Sequence, residues 1–406
     1  MSFCRSPFQF GSLELATGIV FGEVHGAAAT ESGIRGANPL EELEDAVLRG
    51  LLRPPCVVSF SGGRDSSAVL AAAARAARRH GLDPPIAAAN VFPGIAAADE
   101  SEWQELVVSH LGLHDWVRVE LRDELDCVGP LATSVLERHG LLWPFNVHFH
   151  VPLLEVARGG SLLTGIGGDE LLGTSEWARA AAVLSAAAKP VPRDLLRVGA
   201  ALSPQWARRA ALRRRTSPRW PWLTEEGHAA FRRAWIAGTA REPLRWRRRW
   251  HWWRRRRQTD LGLRSLALVA ADHDVEIDHP LCDSRFALAA GRRAAEARCF
   301  ERMELAEELF SELLPTAVLR RRSKAMFDSV FWADHSRAAA GQALEQLPFE
   351  EIPEVDRDGL ASTWAEPVAD PHTCLLLQAW RVREASARAD TNGLAIGTVG
   401  AAPARQ

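Results

Sequence analysis

Val57-Val58-Ser59-Phe60-Ser61-Gly62-Gly63-Arg64-Asp65-Ser66-Ser67 is the stretch that decides how this chain folds. The apolar run reads as a buried strand, the glycines as a tight turn, and the alanine-rich segment beyond them as a helix. Ser161-Leu162-Leu163-Thr164-Gly165-Ile166-Gly167-Gly168-Asp169-Glu170 repeats the design: strand, glycine turn, acid, helix. A glycine turn at a helix N-terminus offers bare N–H groups and the positive end of the helix dipole to a phosphate. Asp65 and Asp169 each offer oxygen ligands to a hard cation such as Mg²⁺. Two such loops facing one another would hold a magnesium-bound nucleoside triphosphate.

The first loop is not the GxxxxGK[ST] P-loop, because no Lys follows its glycines. It resembles the pyrophosphate-binding SGGxDS loop of the ATP pyrophosphatase superfamily, whose members split ATP between the α and β phosphates. The second loop resembles the magnesium-binding loop of the asparagine synthetase family. That family includes asparagine synthetases, β-lactam-forming synthetases and lasso-peptide cyclases. GGDE also occurs in diguanylate cyclases, but there it sits on a hairpin and is usually followed by Phe, whereas Leu171 follows here. Two further segments extend the resemblance over roughly residues 40–335. Arg320-Arg321-Arg322-Ser323-Lys324-Ala325-Met326-Phe327 resembles the family's basic loop. Glu276-Ile277-Asp278-His279-Pro280-Leu281-Cys282-Asp283 resembles its R-x-P-F-L-D segment, with His279 at the Arg position and Cys282 at the final Leu.

With 406 residues, 47% of them apolar, the chain can bury a sizeable core, and a formal net charge of −2 argues against a mainly electrostatic nucleic-acid binder. No apolar run approaches a membrane span, and the N-terminus lacks the pattern of a signal peptide. Six scattered cysteines without a CxxC pair suit a reducing cytoplasm and supply no metal site. There is no Tyr, and of 49 basic residues only Lys189 and Lys324 are Lys, as in a GC-rich bacterial genome. A Lys retained against that drift invites a functional reading, because an ammonium and a guanidinium are not interchangeable. Lys189 precedes a proline and reads as an incidental exposed residue.

The remaining sequence sets the architecture. Residues 1–38 read as an extended lead-in and 391–406 as a frayed tail. Between them, residues 39–390 read as one ATP-binding domain. Apolar strands at 57–60, 86–92, 116–121 and 161–164 alternate with helices. That pattern predicts an α/β fold, a Rossmann-like parallel sheet with helices on both faces, with ligands at the carboxyl ends of the strands. Ser66 is expected to cap the helix after the first loop. Residues 175–262 interleave Arg with Trp, above all in Arg245-Trp246-Arg247-Arg248-Arg249-Trp250-His251-Trp252-Trp253. This segment reads as a helical insertion with Trp inside and Arg outside, as a grip on an acidic peptide or protein, or as an RNA-binding surface. The C-terminal part reads as helices at 261–271, 284–297, 302–314 and 372–386.

The resemblance implies a synthetase that adenylates a substrate carboxylate, releases pyrophosphate and transfers the acyl group to nitrogen. Ser61, Gly62, Gly63, Ser66 and Ser67 would hold pyrophosphate. Asp65 and Asp169 would bind Mg²⁺, Thr164 and Gly165 would lie against the adenine of ATP, and Lys324 would neutralise the leaving group. Three departures redirect the reading from asparagine itself. Asparagine synthetases carry a glutaminase Cys directly after the initiator Met, whereas this sequence opens Met1-Ser2-Phe3-Cys4, so no N-terminal glutaminase domain is expected. Ile166 stands where asparagine synthetases have Glu and β-lactam synthetases Tyr. A Tyr–Glu base pair is excluded without Tyr, leaving Glu170, His148, His150 and the Asp272-His273-Asp274 cluster as candidate bases. The expected function is therefore an amide ligase acting on a peptide or other natural product. The alternatives are an asparagine synthase-like enzyme fed ammonia by a separate partner, and a tRNA-modifying ATP pyrophosphatase.

Overall fold

The computed structural model describes residues 4–24, 38–114, 116–172, 176–186, 188–215, 217–299 and 302–396. Five short strands form the sheet: β1 Cys56–Ser59, β2 Ile86–Val91, β3 Trp116–Glu120, β4 Ser161–Leu163 and β5 Glu276–Asp278. Their order is β3-β2-β1-β4-β5 and every pairing is parallel, with Val57 opposite Ile86 and Cys56 opposite Ser161. Neighbouring residues of the central strands serve opposite faces. Val57 and Leu162 enter the core beneath Leu153, Leu154 and Val269, while Val58 and Leu163 enter the core with Leu43, Val47 and Phe286. All ten are at most 1% exposed, and each such side chain contributes about 1.5–3 kcal/mol by leaving water. The fold class is the one expected.

Strand order reverses between β1 and β4. In an open parallel sheet the crevice at such a reversal is where ligands bind, beyond the carboxyl ends of the strands. The two glycine loops follow these two strands, so topology alone brings them together.

Several expectations are corrected. Within the lead-in, Ser12–Thr17 (α1) is helical, and Leu15 and Ala16 are buried against the long C-terminal helix. Residues 25–37 of it lie outside the described residues. That terminal helix, Cys374–Ile396, runs into the expected frayed tail, whose residues 397–406 lie outside the described residues. Helix α2 (Pro39–Leu51) is N-capped by Asn38, whose side chain accepts from Leu40 N at 3.0 Å. Helix α3 (Arg64–His80) is N-capped by Gly63, so Ser66 lies inside its first turn. Short helices at Thr316–Leu319, Asp328–Phe331, Asp334–Gln346 and Arg357–Trp364 add to the C-terminal part.

The described part of the Arg/Trp segment is helical. Trp222, Trp250 and Trp253 are buried. Trp246 donates from Nε1 to Ala287 O at 2.9 Å and lies against Gly291, where an added Cβ would come within 1.9 Å of its ring. Arg249 stacks on Trp246 at 4.8 Å and Arg256 on Trp252 at 5.1 Å, so much of the interleaving is spent on internal cation–π contacts. No helix among the described residues is long and apolar enough to cross a membrane.

Candidate active site

The first loop is held from both ends. Gly62 takes φ +76°, the left-handed region in which side chains are strained. The Ser66 hydroxyl accepts from Ser61 N at 3.2 Å and lies 3.2 Å from Gly63 O, closing the turn onto the start of α3. From outside, Arg321 donates from Nη1 to Gly62 O at 3.2 Å, forms a buried ion pair with Glu100 and lies 4.8 Å from the Trp103 ring. Arg321 is thus a brace for the loop.

The second loop packs directly on the first, Gly165 against its backbone and Gly168 against the Asp65 side chain. A Cβ on Gly165 would sit 2.8 Å from Ser66 N, and one on Gly168 would sit 2.2 Å from Asp65 Cγ. Both positions therefore need glycine. The Pro280/Asp283 segment backs this loop: Cys282 Sγ donates to Ile166 O at 3.3 Å, and Asp283 caps helix Ser284–Ala297.

Asp65 and Asp169 converge on one guanidinium. Arg302 Nη2 lies 2.8 Å from Asp65 Oδ2, and Nη1 binds Asp169 Oδ1. Lys324 Nζ lies 3.6 Å from Asp169 Oδ2. Burial pushes the Asp65 carboxyl above its usual value against the pull of Arg302. At the cavity edge, partial loss of water would also raise Asp169, but Arg302 and then Lys324 outweigh it and hold that carboxyl low.

These groups edge a cavity of about 530 Å³ lined by Ser61, Gly63, Asp65, Ser66, Thr164, Gly165, Asp169, Glu170, Arg302, Arg322 and Lys324. It adjoins a second cavity of about 830 Å³ over the ends of β1 to β3, with Phe149 and Phe327 on both walls. Together they have the room and mixed lining of a nucleotide-plus-substrate site. Asp65 Oδ1 is buried with no hydrogen-bond partner, as a carboxylate set aside for a cation would be. Among the described residues no three His, Cys, Asp or Glu side chains are grouped to hold a metal. Two carboxylates plus substrate phosphates are the usual donor set for Mg²⁺, so Asp65 and Asp169 fit that ion.

Of the residues expected to bind pyrophosphate, Ser61, Gly63 and Ser66 line the cavity. Gly62 shapes the turn. Ser67 is fully buried in α3 and its hydroxyl has no partner, which places it away from the cavity wall. Thr164 lies 2.6 Å from His279 Nδ1 through its hydroxyl.

Two of the candidate bases, Glu170 and His150, line the cavity, and so does Ile166. Burial, then the neighbouring Asp169 and Asp65 charges, raises the Glu170 carboxyl. Burial pushes His150 down to about 4. His148 is buried and donates from Nε2 to Leu125 O at 2.9 Å. Asp272 pairs with Arg138 and His139, His273 with Glu155, and Asp274 with Arg53. That cluster is structural.

Sequence reading missed Arg302 and the Glu100–Arg321 pair. The available signal was the Arg triplet of the basic loop, with nothing in the sequence to pair it with Glu100. Arg302 has no local signature in a chain this rich in Arg.

A family model described as asparagine synthase matches residues 40–385. No curated protein matches the chain.

Proposed function

Because the chain belongs to the asparagine synthase family, whose members are ATP-dependent ligases that form carbon–nitrogen bonds, we propose that it adenylates a carboxylate and passes the acyl group to an amine. In the first step a substrate carboxylate oxygen bonds to the α-phosphorus of ATP, and pyrophosphate leaves with the electrons of the broken P–O bond. In the second, the amine nitrogen bonds to the acyl carbon, AMP leaves, and one proton passes to a base.

The observation that carries this reading is the convergence of Asp65, Asp169, Arg302 and Lys324 on one cavity at the N-terminus of α3. The Ser61 and Gly63 backbone and the start of α3 would receive the β- and γ-phosphates. Asp65 and Asp169 would hold Mg²⁺, which when bound supplies charge neutralisation at the phosphates. Lys324, its side chain 82% exposed and free to reach into the cavity, would meet the leaving pyrophosphate. Glu170 would take the amine proton, because its carboxyl is raised above its usual range whereas His150 is lowered to about 4. Ile166 leaves the family's usual proton-handling position inert, which favours an amine carried by a peptide or other natural-product substrate over free ammonia.

ATP–pyrophosphate exchange with a panel of peptide and small-molecule carboxylates tests the proposal. Carboxylate-dependent exchange without RNA supports it, and its absence from every carboxylate overturns it. Product formation only on adding ammonia would turn the reading toward an asparagine synthase-like enzyme.

A further inference from the structure

Arg302 occupies the two carboxylates that the proposed function assigns to a divalent cation. One guanidinium spans Asp65 Oδ2 and Asp169 Oδ1, while Lys324 stands at the other Asp169 oxygen. The Arg302 side chain is 28% exposed at the first turn of helix Arg302–Phe310, and it lines the cavity itself. Its Nε is buried without a partner, so only the forked end of the side chain is anchored. Asp65 keeps Oδ1 without a partner, but a cation shared by the two aspartates meets the Arg302 charge already lodged between them and Lys324 at the remaining Asp169 oxygen. Mg²⁺ demands near-ideal octahedral oxygen geometry. A planar fork released from carboxylates matches phosphate oxygens equally well.

We propose that Arg302 is the resident counter-ion of Asp65 and Asp169 in the nucleotide-free protein, and that it passes to the phosphates when Mg²⁺ and nucleotide arrive together. This rests on the nucleotide reading of the site. It makes Arg302 a gate against metal binding alone and a phosphate ligand afterwards. The aspartates stay neutralised throughout, and each entering cation is matched by phosphate charge.

Titration of the full-length chain with Mn²⁺ alone, followed by electron paramagnetic resonance of the free ion, tests the gate. Arg302→Gln should bind Mn²⁺ about tenfold or more tightly than wild type, since a competing cation has been removed. Adding Asp169→Asn to that variant should erase the gain. A folded Arg302→Gln that binds Mn²⁺ no better than wild type overturns the proposal. Should that variant not fold, a crystal structure of the wild-type chain with Mn²⁺ and α,β-methylene-ATP decides. Arg302 is expected on phosphate oxygens, and finding it still on both aspartates overturns the exchange. Failure of the function itself would appear instead as absent ATP–pyrophosphate exchange in wild type, leaving the Mn²⁺ comparison in the free protein readable.

Discussion

Thr164 Oγ1 lies 2.6 Å from Nδ1 of His279, so the residue standing at the arginine position of the Pro280/Asp283 segment anchors the second loop through a neutral hydrogen bond. Burial pushes the His279 imidazole from 6.5 down to about 4, and His150 falls from 6.5 to about 4 chiefly by burial and then by its nearness to His279. In the unfolded chain both rings titrate near 6.5, so below that pH the unfolded state binds protons that the native state refuses. Stability from these rings is full above about pH 6.5 and declines as pH falls toward 4, by an amount on the order of 2 kcal/mol for each ring. Urea unfolding of wild type and His279→Gln at pH 7.5 and pH 5 measures it: the gap between the two should narrow at pH 5. Parallel curves would remove the neutral-histidine account.

Asp169→Asn should abolish ATP–pyrophosphate exchange with the fold intact. Asp169 is exposed at the cavity edge and its partners Arg302 and Lys324 both retain access to solvent, so removing its charge strands no fully buried ion. Near-normal exchange by a correctly folded variant would withdraw the metal role from this residue.

Gly168→Ala probes the packing of loop on loop. The new methyl would have to displace Asp65 Cγ, 2.2 Å away, and overpacking of this kind costs about 1–3 kcal/mol. The expected outcome is a lowered unfolding midpoint with exchange reduced beyond what the stability loss explains, because Asp65 itself is moved. A variant with wild-type exchange would show that the two loops have slack the structure does not record.

The strands and both loops were legible because their coding is local: an apolar run, glycines that permit the turn, an acid at the helix start. Strand β5 was not, since Glu276 and Asp278 make it polar, and it sits at the sheet edge where none of its residues is fully buried. Ser67 was assigned to phosphate by its place in a motif, although three residues into a helix it turns toward the core. Arg302 and Arg321 acquire their roles from residues more than a hundred positions away in sequence; Arg302 has no local signature, and within the basic loop nothing sets Arg321 apart from the arginines beside it. The family resemblance pointed to the residues proposed for phosphate and metal; the counter-ions around them required the fold.

Arg321→Met should leave Glu100 charged, buried and alone. Both partners are at most 9% exposed, and breaking such a pair costs about 3–5 kcal/mol. Arg321 also holds Gly62 O, so exchange should fall with stability. The double variant Arg321→Met with Glu100→Leu should recover most of the stability by removing both charges, but not the loop contact and hence not full exchange. A single-variant loss below about 1 kcal/mol by urea unfolding would contradict the burial of this pair.

Glu170→Gln separates the two chemical steps. Adenylation needs phosphate ligands and no base, whereas aminolysis must place a proton somewhere. Glu170 lines the cavity beside Asp169, and its carboxyl is raised by burial and by the acids around it. The glutamine variant should therefore keep ATP–pyrophosphate exchange near the wild-type rate while amide formation falls by roughly 10²–10⁴, the usual contribution of a positioned general base. Accumulated acyl-adenylate, trapped with hydroxylamine, would mark the block. If exchange and amide formation instead fall in step, Glu170 serves nucleotide binding, and the proton must go to His150, whose variant should then show the split.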